Sequence, residues 1–164
     1  MRILGIDPGL ATLGYGIIDT AGSRITLLTA GAVITTPDMI TPDRLRSIRS
    51  QISQLLQLYR PDQIAFEELF FSKNITTGMN VSAARGVTVC TCAEYTSELY
   101  EYTPMQIKQA VVGYGKADKH QVQHMVKLLL NLPDIIRPDD AADAVAAALT
   151  HFNAGAMKNE YRMK

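Results

Sequence analysis

Arg2-Ile3-Leu4-Gly5-Ile6-Asp7-Pro8-Gly9 stands at the head of the chain. So short an apolar run, closed by Pro-Gly, predicts a strand buried on both faces with Asp7 at or near its exposed end. An ionised carboxylate is costly in such surroundings unless a cation or hydrogen bonds compensate it. Gly5, Gly9, Gly14 and Gly16 flank it, and residues without a Cβ let another backbone or a ligand phosphate come close. Two readings follow: Asp7 caps the Pro-Gly turn, or it is the hub of a site that other acids must join.

Outward from this strand, the 164 residues suffice for one domain with a proper core, and their 47% apolar content is ordinary. We take residues 1–156 as a single domain and 157–164 as a polar tail that frays. There is no internal repeat, low-complexity segment or linker. No run approaches the ~20 apolar residues that span a bilayer, and no basic segment followed by an apolar core marks export; the expected setting is cytoplasmic, with no membrane partner. Cys90 and Cys92 are the only cysteines, and their C-x-C spacing fits neither a zinc pair nor a redox motif. Sixteen basic and sixteen acidic residues cancel, which counts against a broad polyanion-binding surface but not against local basic clusters.

Residues 14–19 and 24–35 predict two further strands joined by short turns, an antiparallel meander with the first. Thr41-Pro42 signals a helix start with Thr41 as cap. Leu45, Ile48, Ile52, Leu55, Leu56 and Tyr59 give that helix one apolar face before Pro61 stops it. Gln63–Glu68 reads as a fourth strand, parallel to the first if the helix is a crossover, with Ile64 and Phe66 on one face and Ala65 and Glu67 on the other. Phe70 and Phe71 follow in a loop with Lys73; they read either as a buried pair or as an exposed aromatic that stacks on an unpaired base. Residues 78–98 form a small-residue helix containing Arg85, and 99–103 a fifth strand. Thr103/Gln106 and Asp118/Gln121 have the form of capping boxes that open two more helices. Between Lys108 and Lys127 lie four lysines and one acid, the most basic region of the chain. His120 and His124 share a helix face without the glutamate of a zinc-protease motif.

A last helix begins at Arg137-Pro138-Asp139-Asp140, and Asp140 and Asp143 share a face at its first turn. They suit the helix dipole, yet caps rarely need three Asp in five residues. If strands one and four are adjacent, Asp7 and Glu67 lie side by side, and the last helix can present Asp140 and Asp143 to the same spot. Four such carboxylates repel and raise one another's pKa. A divalent ion relieves that conflict, and all-oxygen ligation fits Mg²⁺ or Mn²⁺. Two such ions can hold a phosphodiester, activate water and stabilise the leaving oxygen.

GIDPG at Asp7, AFEELFFSKN at Glu67, ARG at Arg85, PMQIKQAVVGYGKADKHQVQHMV and DDAADAVAAALTH, in this order over nearly the whole chain, resemble the RuvC family of Holliday junction resolvases. The resemblance implies an α/β, ribonuclease H-like fold, a five-stranded mixed sheet flanked by α-helices. It implies metal-binding catalytic acids at Asp7, Glu67, Asp140 and Asp143, an inserting aromatic at Phe70, and DNA-handling lysines at Lys108 and Lys119. Lys73, Arg85 and Lys116 complete the expected DNA-binding set. Glu68 stands where relatives often carry glutamine. The implied reaction is Mg²⁺-dependent hydrolysis of four-way junction DNA to 5′-phosphate and 3′-hydroxyl ends by a homodimer, with a branch-migration partner of the RuvA–RuvB kind. We take the small-residue helix as the candidate dimer interface. The competing readings are a phosphotransferase of the actin and sugar-kinase type, which ATP binding tests; a junction-binding module without catalysis, which a cleavage assay tests; and another nuclease of the same fold.

Overall fold

The computed structural model describes residues 1–69 and 75–164, with side chains in the first turn of the second helix described from Gly78 onward. Strand β1 (Arg2–Asp7) pairs antiparallel with β2 (Thr12–Ala21), which pairs antiparallel with β3 (Arg24–Ile34). Helix α1 (Thr41–Tyr59) carries the chain over to β4 (Gln63–Glu67), parallel to β1. Helix α2 (Ile75–Tyr95) leads to β5 (Leu99–Tyr102), parallel to β4. The sheet order is β3-β2-β1-β4-β5, the mixed five-stranded arrangement expected. Helices α3 (Pro104–Val112), α4 (Lys119–Leu129) and α5 (Asp139–Ala154) follow.

Alternation along β1 and β4 divides the core into two layers. Leu4, Ile6, Ile64 and Phe66 pack with Ile48, Ile52 and Leu56 of α1 and Ala84 of α2. On the other face, Ile3 and Ala65 join Ile107, Val122, Val126 and the alanine-rich side of α5. Asp7 and Glu67 continue the second set, so both carboxylates point to the α5 face.

Local signals set most of the element ends. Both capping boxes form: the Thr103 Oγ1 accepts from Gln106 N (3.2 Å) and the Asp118 Oδ1 from Gln121 N (2.9 Å), each glutamine returning a bond to its cap residue's N–H. Helix α1 departs from expectation by one residue. Ile40, not Thr41, is the cap, and its carbonyl accepts from Asp43 N and Arg44 N while no side chain caps the turn. Helix α2 spans 75–95 rather than 78–98, because Thr96 Oγ1 accepts from Glu98 N and turns the chain toward β5.

The C-terminal residues do not fray. Gly155–Tyr161 form a 3₁₀ helix, Tyr161 stacks on Tyr102 with ring centroids 4.8 Å apart, Arg162 bridges to Tyr100, and Met163 N donates to Leu99 O (2.9 Å). The open edge of β5 offers unpaired backbone groups, which a polar composition does not reveal.

Candidate functional site

The closeness of α5 to the sheet builds the site. A Cβ on Gly5 would overlap the carbonyl of Ala144, and one on Gly14 the carbonyl of Asp140. Glycine at these two positions lets the helix backbone lie directly on β1 and β2. Gly14 is the register partner of Asp7, so the first turn of α5 is delivered beside that carboxylate. Glu67 lies one step beyond the Ile6–Phe66 pair, at the end of the neighbouring strand.

The electrostatics follow from this placement. Burial, then Asp143 and Asp140, push Asp7 up to about 7, against the pull of Lys119. Burial, then Asp7 and Asp143, push Glu67 up to about 8, opposed by Lys119 and Lys108. Asp143 is also raised by burial, although Lys119 draws it down. The four acids from three distant stretches thus share one field. Helix α4 supplies the counter-charge: Lys119 Nζ lies 3.1 Å from Asp143 and 3.6 Å from Asp139. Glu67, Asp143, Lys108 and Lys119 line one recess of about 210 Å³ together with Pro104, Ile107 and Val122.

Among the described residues no group of three or more His, Cys, Asp or Glu side chains is arranged to hold a metal ion. The carboxylates interact through their charges, while Asp143 is engaged by an ammonium. The donor chemistry nevertheless suits a hard divalent cation: the acids are oxygen donors only, and Asp7, Glu67 and Asp143 are half-buried at raised pKa, which positive charge would relieve.

The remaining expected residues fall elsewhere. Phe70 and Lys73, with Phe71, lie outside the described residues. Arg85 is on the opposite face of the sheet, its Nη2 2.6 Å from Glu101 Oε2 and its guanidinium carbon 5.9 Å from the Phe66 ring centre. Lys116 is exposed in the turn between α3 and α4, outside the lining of the recess, and Glu68 is exposed at the end of β4. Asp139 enters as an unforeseen partner of both Lys119 and Arg137 (3.7 Å).

A 3-2-1-4-5 mixed sheet with acids at the ends of its central strands is the ground plan of the ribonuclease H-like class. The family model for "Crossover junction endodeoxyribonuclease RuvC" matches residues 3–151. A curated protein of that name from Alkaliphilus metalliredigens is 51% identical over all 164 residues, covering 100% of both chains. The solved structure of T. thermophilus RuvC in complex with Holliday junction substrate superposes with a TM-score of 0.90 at 35% identity, covering 96% of each chain. The yeast mitochondrial Holliday junction resolvase Ydc2 shares the fold at a TM-score of 0.69 and 13% identity, covering 98% of this chain and 82% of its own. The chain belongs to the RuvC family.

Proposed function

We propose that the chain is a structure-selective endonuclease that resolves four-way (Holliday) DNA junctions by paired, symmetric nicks leaving 5′-phosphate and 3′-hydroxyl ends. The observation that carries this reading is the coupled field of Asp7, Glu67, Asp140 and Asp143 beside a recess lined by Lys108 and Lys119. Family membership and the junction-bound relative support the substrate. Asp7, Glu67, Asp140 and Asp143 would hold two Mg²⁺ ions, with Mn²⁺ able to substitute. Bound there, the pair would supply Lewis acidity to the phosphodiester and to its attacking water.

The chain's own side chains carry the rest. Lys119, now 3.1 Å from Asp143, would neutralise charge near the scissile phosphate and in doing so free Asp143 from its ammonium partner. Lys108 would hold the strand backbone, and Lys73 and Lys116 would extend the contact with DNA, whereas Arg85, paired with Glu101 on the opposite face of the sheet, stands apart from that surface. Phe70 would stack in the opened centre of the junction. A two-fold substrate calls for a homodimer. Met79, Gly86 and Cys90 on the exposed side of α2 make that helix the interface candidate. One nuclease domain over 1–156 would act in the cytoplasm with a RuvA–RuvB-like motor. Among the described residues no helix is long and apolar enough to cross a membrane.

The test is a labelled immobile junction incubated with and without Mg²⁺, its cuts mapped. Asp7→Asn should bind the junction with about wild-type affinity and not cut it. Nicking at the wild-type rate by this variant would overturn the reading.

A further inference from the structure

Helix α5 meets the sheet mainly through small residues and backbone. Its buried residues are mostly alanine, and opposite them lie Gly5, Gly14 and Gly16. The Ala144 carbonyl meets Gly5, the Asp140 carbonyl meets Gly14 and Val145 Cγ2 meets Gly16, so one branched side chain is seated there and the rest of the close contact is backbone, with few knobs and holes to resist axial sliding. Among the described residues, the side-chain hydrogen bonds that join α5 to the sheet both belong to His151: its Nδ1 lies 2.7 Å from the Tyr102 hydroxyl of β5, and its Nε2 lies 2.9 Å from Gln63 Oε1 of β4.

This buried contact has a fixed polarity. Gln63 Nε2 donates to Glu98 Oε2 (3.3 Å), and that carboxylate is itself held by the Tyr100 hydroxyl (2.6 Å) and Arg162 (3.1 Å). Gln63 must therefore turn its carbonyl to His151. His151 Nε2–H donates to it, and Nδ1 accepts from the Tyr102 hydroxyl. The register matters for the site. His151 lies eight residues along α5 from Asp143, about 12 Å at 1.5 Å per residue. Gln63 lies four residues along β4 from Glu67, about 13 Å. Two rigid elements of matched length thus separate the lock from the acids, and a slide at one end appears undiminished at the other.

We propose that His151 is a positioning residue for the carboxylate site, its two hydrogen bonds to Gln63 and Tyr102 fixing α5 along β4 so that Asp143 faces Glu67. This rests on the four-acid reading of the site. Sub-ångström placement decides whether carboxylates share a cation, and losses of about 10–100-fold follow when supporting bonds are removed.

The test uses the full-length protein and measures Mn²⁺ binding without DNA by electron paramagnetic resonance, junction affinity in EDTA, and cleavage under saturating Mg²⁺. His151→Leu should lose about tenfold in Mn²⁺ affinity and about 10–100-fold in cleavage rate at unchanged junction affinity. His151→Gln, whose amide can both donate and accept, should recover most of both. Tyr102→Phe keeps the ring and removes one donor; it should repeat the loss in smaller measure should His151→Leu fail to fold. Ile52→Ala, in the α1 layer across the sheet, is the control for stability alone and should keep both values. Wild-type Mn²⁺ affinity and cleavage in folded His151→Leu and Tyr102→Phe overturns the proposal, as does a loss that His151→Gln does not restore. Those results leave Asp7→Asn uncleaving; wild-type nicking by Asp7→Asn would instead remove the four-acid reading and the proposal with it.

Discussion

Asp7 and Glu67 carry opposite consequences for folding and for chemistry. With carboxyls raised to about 7 and about 8, the metal-free folded chain keeps protons that the unfolded chain has released above pH ~4–5. Their contribution to stability is therefore fully favourable at low pH and is lost as the pH rises toward 8. His151 runs the other way: burial holds its imidazole down to about 4, so the unfolded state binds the proton first and stability falls as pH drops below ~6.5 toward 4. The two windows overlap between about pH 4 and 6.5, where two carboxyls outweigh one imidazole, so these groups make the metal-free protein less stable as the pH rises from about 5 to 8. Asp7→Asn should raise its stability by about 1–2 kcal/mol more at pH 8 than at pH 5, as read by thermal unfolding in EDTA. An equal change at both pH values would show that the buried acid is already compensated within the protein.

Helix α5 is the element on which the site turns, because glycine on the sheet brings its backbone against β1 and β2. Gly14→Ala would drive a Cβ into the Asp140 carbonyl and displace the first turn, where Asp140 and Asp143 sit. We expect about 1–3 kcal/mol of lost stability by urea unfolding, with cleavage down at least about 100-fold in protein that is still folded. A loss of activity no larger than the fraction unfolded would place the first turn outside the site. Much of this element was readable in advance: three Asp in five residues, the helical phase of Asp140 and Asp143, the alternation that turns Glu67 and Ala65 to one face, and the glycines around Asp7. Other features depend on how elements cross and leave no local trace. Lys119 meets Asp143 and Asp139 only because α4 packs beside the start of α5. His151 is in sequence one polar residue near the end of an alanine run, although its spacing of eight from Asp143 puts it near the same helix face. The tail's polar composition suggests solvation, whereas its backbone groups pair with the edge of β5.

Across the whole molecule the charges sum to zero, so affinity for a polyanion depends on where the cations stand. Lys108, Lys116 and Lys119 belong to α3, α4 and the turn between them, on the α5 side of the sheet, whereas Arg46 is exposed on α1 beyond the other face and paired with Asp43 at 2.5 Å. If DNA lies on the lysine side, each lost phosphate contact should lower the slope of log affinity against log salt by about 0.9. Lys108→Gln and Lys116→Gln should each produce that change in junction binding measured in EDTA, and Arg46→Gln should leave the slope unaltered. Lys119→Gln should do more than either. It removes a phosphate contact and also the ammonium that stands between Asp143 and Asp139, so cleavage should fall by more than the weakened binding explains. Equal slopes for all four variants would mean that the junction is held by some other surface of the molecule.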